Sequence, residues 1–179
     1  MDKTISIFTD AATSPQAGIA IGVFLCLDEQ TINEYAECST NALTAMLSGK
    51  ITSIKFETNK STWSEIKTVI SALRSVLADD GAGCKITLYT DCQSVCDLIG
   101  KRKDKLIKSH FVTREGKTLR HANLYKELFE ITEALQVTII KVKGHHAKSQ
   151  RLTLQENIFS IIDKHSRREL KLALQNDID

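Results

Sequence analysis

The sequence predicts an α/β fold: a five-stranded mixed sheet, antiparallel where hairpins join neighbours and parallel where helices cross over, with helices on both faces. Three observations predict it. Short apolar runs recur along the chain, among them ISIFTD (5–10), GIAIGVFLCL (18–27), ITLYTD (86–91) and VTIIKV (137–142). Amphipathic runs with helical spacing separate the later ones. Nothing resembles a linker: there is one proline, Pro15, and no Gly/Ser-rich tract, so residues 1–179 are expected to form one domain.

Residues 4–9 read as the first strand and 18–27 as the second, joined by a turn through Ser14-Pro15. Asp28-Glu29-Gln30 reads as a turn into a third strand, TINEYAEC (31–38). Within 39–60, ALTAML reads as a helical turn and ITSIKFE as a further strand segment. STWSEIKTVISALRSVL follows, with Ile66, Val69, Ile70, Leu73 and Leu77 on one helical face, and Asp79-Asp80-Gly81 ends it. Residues 85–90 are a strand, and a helix is expected from Ser94 to Lys108, followed by a basic loop. NLYKELFEITEAL places Leu124, Leu128, Ile131 and Leu135 on one face of the next helix. The last strand is 137–142 and the last helix 154–174, giving the order β-β-β-α-β-α-α-β-α.

Composition excludes several classes. Hydrophobic residues are 42% and charged residues 26% of the chain, as in an ordinary globular domain. No run approaches the roughly 20 apolar residues a membrane span needs. MDKTISIF lacks the apolar stretch and small-residue cleavage site of a signal peptide, so a cytoplasmic protein without membrane association is expected. The five cysteines form no CxxC pair and are expected to be reduced, mostly buried small hydrophobes.

Charge is uneven. Residues 101–120 hold eight Lys or Arg against Asp104 and Glu115, a block of +6 in a chain of net +2, leaving −4 elsewhere. A basic block on a mildly acidic body suits a polyanionic partner.

The chemistry centres on two strand ends. ISIFTD and ITLYTD both close on Thr-Asp in the same register. Side chains alternate, so Asp10 shares a face with Phe8 and Ser6, and Asp91 with Tyr89 and Thr87. On adjacent parallel strands, about 4.8 Å apart, the two carboxylates emerge together at the edge where open α/β sheets bind ligands. Close carboxylates repel, and a hard divalent cation, Mg²⁺ or alternatively Mn²⁺, relieves the conflict. Glu65 is a third candidate acid, although Thr62-Trp63-Ser64-Glu65 also has the spacing of a capping box.

TDCQSV (90–95) and VKGH (142–145), with NLYKELFEI between them, resemble the T-D-S-Q-x-V, V-K-G-H and D-L-W-x-x-L stretches of the ribonuclease H family. The element order agrees over nearly the whole chain. The resemblance implies a ribonuclease H-like fold and a monomeric endonuclease that cleaves the RNA strand of RNA/DNA hybrids by two-metal-ion hydrolysis, leaving 5′-phosphate and 3′-hydroxyl ends. It implies that Asp10, Glu65, Asp91 and Asp163 are metal-binding carboxylates, Asp163 lying in DKHSRR, which resembles the family's D-x-x-A-R helix. His145 would act near the leaving group, with His146 as stand-in. Ser61, Thr62 and Gln93 would contact the nucleic acid, and Lys101, Arg102, Lys103, Lys105 and Lys108 would grip its phosphates.

The chain departs from the family pattern in particular places. Ala11 stands where Gly is usual, and Ser61-Thr62-Trp63 replaces Asn-Asn-Arg. The stretch from His145 to Asp163 is long, which leaves Glu156 as an alternative fourth acid. Other functions fit less well. A 3′-5′ exonuclease would need Asp-x-Glu on the first strand, and the residue two after Asp10 is Ala12. A catalytically weakened module that binds nucleic acid or protein is the remaining alternative.

Overall fold

β1 (Thr4–Ser14) is the middle strand of a five-stranded sheet in the computed structural model, which describes residues 4–79, 83–143 and 153–176. β2 (Ile19–Asp28) pairs antiparallel with β1, and β3 (Thr52–Glu57) antiparallel with β2. On the other side β4 (Lys85–Thr90) runs parallel to β1, and β5 (Val137–Lys141) parallel to β4. The order is β3-β2-β1-β4-β5, the expected mixed sheet. The β1–β2 turn follows Ser14-Pro15 and closes on Gly18, whose φ of +69° suits a residue without Cβ.

Alternation sorts the side chains into two cores. Ile5, Ile7, Ile86 and Leu88 face α3 (Ser61–Ala78), α4 (Gln93–Ile99) and α6 (Ala122–Ala134). Phe8, Val23, Leu25 and Tyr89 face the opposite way, onto α1 (Glu29–Tyr35), α2 (Thr40–Ser48) and α7 (Leu154–Asn176). Close packing makes one glycine obligatory. A Cβ on Gly22 of β2 would overlap Thr68 Oγ1 of α3 and stand 2.7 Å from the Phe56 ring. Among the described residues no helix is long and apolar enough to cross a membrane.

Two expected elements are corrected. TINEYAEC is helical, not a strand: the Asp28 carboxylate accepts from Thr31 N at 2.8 Å and caps α1, which buries Tyr35. The third strand is therefore the ITSIKFE segment, and ALTAML is part of α2, capped by Ser39. The helix expected from Ser94 to Lys108 is broken at Gly100, and α5 (Lys103–Lys108) begins afresh beyond it. Past α5, Phe111 has φ of +58°, an unfavourable value for a bulky residue, and is buried with its ring 6.0 Å from that of Phe129. That anchor, with the Val112–Thr118 bridge, closes the basic loop on itself.

The cysteines are free thiols. They are less buried than expected, only Cys84 being buried and the other four partly so; burial nonetheless pushes the thiols of Cys26 and Cys92 up to about 11.

Candidate active site

The site begins with unequal pairing around β1. Its ladder with β4 stops at Phe8–Tyr89, whereas its ladder with β2 continues through Asp10–Val23 to Ser14–Ile19. Asp10 is therefore not at a strand end, as the sequence suggests, but inside a longer strand beside the point where β4 stops. Asp91 follows Thr90 at that point. Residues on the Phe8 face look toward α7, which brings Ser166 to Asp10, and the N-terminal part of α3 brings Glu65 from the other side.

One ligand oxygen from each of Asp10, Glu65 and Asp91 lies within 4.8 Å of the others. Asp10 is 6% and Glu65 8% exposed. Burial pushes the Asp10 carboxyl up to about 6 against the opposing pull of the Ser166 hydroxyl, and Asp91 and Asp163 push it further. Glu65 is held well above the usual carboxylate range, first by burial and then by the charges of Asp10 and Asp91. The Ala11 backbone N–H offsets a little of the shift at both.

Glu65 is not part of a capping box. α3 is preceded by Lys60, no side chain caps it, and Thr62 is exposed. Glu65 Oε2 is buried and has no hydrogen-bond partner among the described residues. Three mutually repelling carboxylates, two of them buried and one with an orphaned oxygen, are poorly served by the protein alone. An all-oxygen donor set of this kind fits a hard divalent cation such as Mg²⁺ or Mn²⁺ better than zinc.

Asp163 stands at the margin. It lies close enough to raise the Asp10 pKa, but it is outside the three-carboxylate group and its Oδ1 bonds Arg167 at 2.7 Å. Glu156, the alternative acid, forms the capping box of α7. Its Oε2 accepts from Thr153 N at 2.8 Å and Thr153 Oγ1 at 3.1 Å, and its own N–H donates back to Thr153 Oγ1 at 3.2 Å. His145 and His146 lie outside the described residues.

Gln93 opens α4 next to Asp91. Its amide oxygen accepts from Lys141 Nζ at 2.6 Å and its amide nitrogen donates to Asp97 at 2.7 Å. Ser61 and Thr62 are exposed at the start of α3. The basic block is less uniform than its sequence suggests: Lys101 pairs with Asp97 at 3.0 Å and Lys103 with Glu133 at 2.8 Å, while Arg102, Lys105 and Lys108 are exposed.

Sequence reasoning missed two features. Ser166 lies three residues after Asp163, a spacing that puts it on the same helical face, but only its burial against Asp10 gives the spacing meaning. A groove of about 410 Å³ runs between α3 and the approach to α6, lined by Trp63, Lys67, Leu119, Arg120, His121 and Glu127. Arg120 belongs to the basic block, but the aromatic wall opposite it comes from a distant helix and leaves no local signal.

The family model for RNase H matches residues 2–160. Ribonuclease H of Thermoanaerobacter sp. (strain X514) is 33% identical over 82 residues, 45% of this chain and 50% of its own length. The chain thus spans about half the length of that relative. Ribonuclease H of Chlorobium luteolum is 26% identical over 149 residues, 81% of this chain and 86% of its own. Among solved structures, the N-terminal RNase H domain of rv2228c from Mycobacterium tuberculosis superposes with TM-score 0.60 at 10% identity, covering 97% of this chain and 98% of that one. The PFV (prototype foamy virus) RNase H domain gives TM-score 0.58 at 16% identity, covering 93% and 94%. LC11-RNase H1, solved with an RNA/DNA hybrid, gives 0.52 at 12% identity, covering 78% and 85%.

Proposed function

The chain belongs to the ribonuclease H family, and from that premise we propose that it is a metal-dependent endonuclease cleaving the RNA strand of RNA/DNA hybrids to 5′-phosphate and 3′-hydroxyl ends. The cluster of Asp10, Glu65 and Asp91 carries the reading, because it gathers three carboxylates, two of them buried, with one Glu65 oxygen lacking a hydrogen-bond partner among the described residues. These three residues would hold divalent cations, Mg²⁺ first and Mn²⁺ as substitute, with Asp163 beside them. Bound ions of this kind activate an attacking water and stabilise the leaving oxygen of a phosphodiester.

The chain's own side chains do the rest of the work. Ser61 and Thr62 offer small hydroxyls, and Gln93 an amide, beside the acidic cluster, chemistry suited to ribose 2′-hydroxyls and the minor groove. Arg102, Lys105 and Lys108, with Lys101 and Lys103 once released from their partners, contact phosphates and supply affinity without reading sequence. Arg120 carries the basic surface into the Trp63 groove, where Lys67 is paired with Glu127 at 3.4 Å. His145 is assigned proton transfer near the leaving group on the VKGH match. Residues 1–179 act as one domain and one monomer in this reading. Five free thiols suit a reducing compartment such as the cytoplasm.

A second reading is a module that binds without cleaving, favoured by the Asp163–Arg167 pair, which engages the fourth acid. One experiment separates them. A labelled hybrid is incubated with the protein and Mg²⁺ or Mn²⁺, alongside Asp10→Asn, with single-stranded RNA, duplex RNA and duplex DNA as parallel substrates. Cleavage of the hybrid that disappears in the variant supports the enzyme; binding with no cleavage under either ion supports the module.

A further inference from the structure

We propose that Ser166 is a positioning residue for Asp10, fixing the orientation in which that carboxylate receives a divalent cation. The inference rests on the metal-site reading above and adds a residue to it. Ser166 is fully buried on α7, and its hydroxyl donates to Asp10 Oδ2. The Ser166 Oγ also lies 2.9 Å from the Asp163 carbonyl oxygen. A serine hydroxyl has one proton for these two acceptors, and the charged carboxylate is the stronger one.

A carboxylate turns readily about its last torsion, whose energy wells are broad. Asp10 cannot do so without breaking its bond to Ser166, a residue with no exposed surface at which water could take over. The bond leaves room for a cation, because each carboxylate oxygen can accept more than one partner. It also joins residues 156 positions apart, and so fastens the helix bearing Asp163 to the strand bearing Asp10. Hydrogen bonds from outside a metal's own ligand set commonly govern its affinity by about 10–100-fold.

The test is calorimetric titration of Mn²⁺ into the wild-type chain, Ser166→Ala, Asp10→Asn and the double variant, with circular dichroism as a check on folding. Ser166→Ala is expected to bind Mn²⁺ about tenfold more weakly, and to have less than about a twofold effect when Asp10 is already Asn, since it acts through that carboxylate. Affinity of Ser166→Ala within about twofold of wild type overturns the inference, as does an equal loss in both backgrounds. Should alanine prevent folding, Ser166→Cys keeps the shape with a weaker donor; wild-type affinity there also overturns it. A wild-type chain that takes up no Mn²⁺ removes the metal-site reading itself, and this inference with it.

Discussion

Phe8 and Tyr89 are register partners on β1 and β4, and their rings stack with centroids 4.7 Å apart and planes 9° from parallel. Two residues further along the chain stand Asp10, still on β1, and Asp91, just past the end of β4. The stacked pair thus sets the alignment that brings two carboxylates to one place. Phe8 is fully buried, so Phe8→Ala is expected to cost about 3–5 kcal/mol of stability. Urea denaturation measures this; a loss below about 1 kcal/mol would show that the pair does not hold the register.

The raised pKa values give the metal-free protein a particular pH dependence. A carboxyl at about 6 in the folded chain and near 3.8 when unfolded takes up its proton more readily in the fold. Its destabilising effect is absent below the unfolded value, grows as pH rises between the two, and is complete above 6. Glu65 shifts the same way. In chelator, lowering the pH from 7.5 to 5.5 is therefore expected to oppose acid destabilisation from other groups. Asp10→Asn should raise the melting temperature at pH 7.5, a gain of up to about 3 kcal/mol in stability. A lower melting temperature for this variant under those conditions would contradict the burial argument.

Cation binding should reverse that penalty. Millimolar Mg²⁺ or Mn²⁺ is expected to stabilise the wild-type chain at pH 7.5, with a gain that increases with concentration as a bound ligand requires. Glu65→Gln and Asp91→Asn should largely abolish the gain. They should also lower hybrid cleavage strongly, by more than the roughly tenfold expected of an outer partner of the metal. Equal stabilisation of all variants would mean the ions act elsewhere.

The fourth acid can be assigned by contrast. Asp163→Asn is expected to lower cleavage strongly, whereas Glu156→Gln, which keeps an acceptor in the α7 capping box, should leave both cleavage and stability near wild type. Comparing turnover with thermal stability for the two variants decides it. The reverse pattern would transfer the role to Glu156.

For the basic block, replacing Lys101, Arg102, Lys103 and Lys105 with Ala should weaken hybrid binding and flatten its dependence on salt. Removing one phosphate-binding side chain changes the slope by about one. Two of the four are ion-paired in the fold and must first be released, so a change of about two to four is expected, measured by fluorescence anisotropy across a salt series. An unchanged slope would place the hybrid elsewhere.

Most of the sheet is legible in the sequence because its signals are local. Alternation in ISIFTD and ITLYTD is enough to locate two strands and to put Asp10 and Asp91 on matching faces. The failures have the same origin. TINEYAEC has strand-like composition, yet one hydrogen bond from Thr31 N to Asp28 starts a helix there. Thr62–Glu65 and Thr153–Glu156 share one spacing; only the second is a capping box, because Glu65 is turned inward against Asp10 and Asp91.

By itself, then, the amino-acid order determined the class of fold, the matching faces of Asp10 and Asp91 on two strand runs and the family resemblance, all carried by neighbours within a few residues. Tertiary structure alone decided which acids meet, how deeply they are buried, and that Ser166 holds Asp10. Burial and mutual repulsion belong to groups brought together from distant parts of the chain, and no local pattern encodes the distance between them.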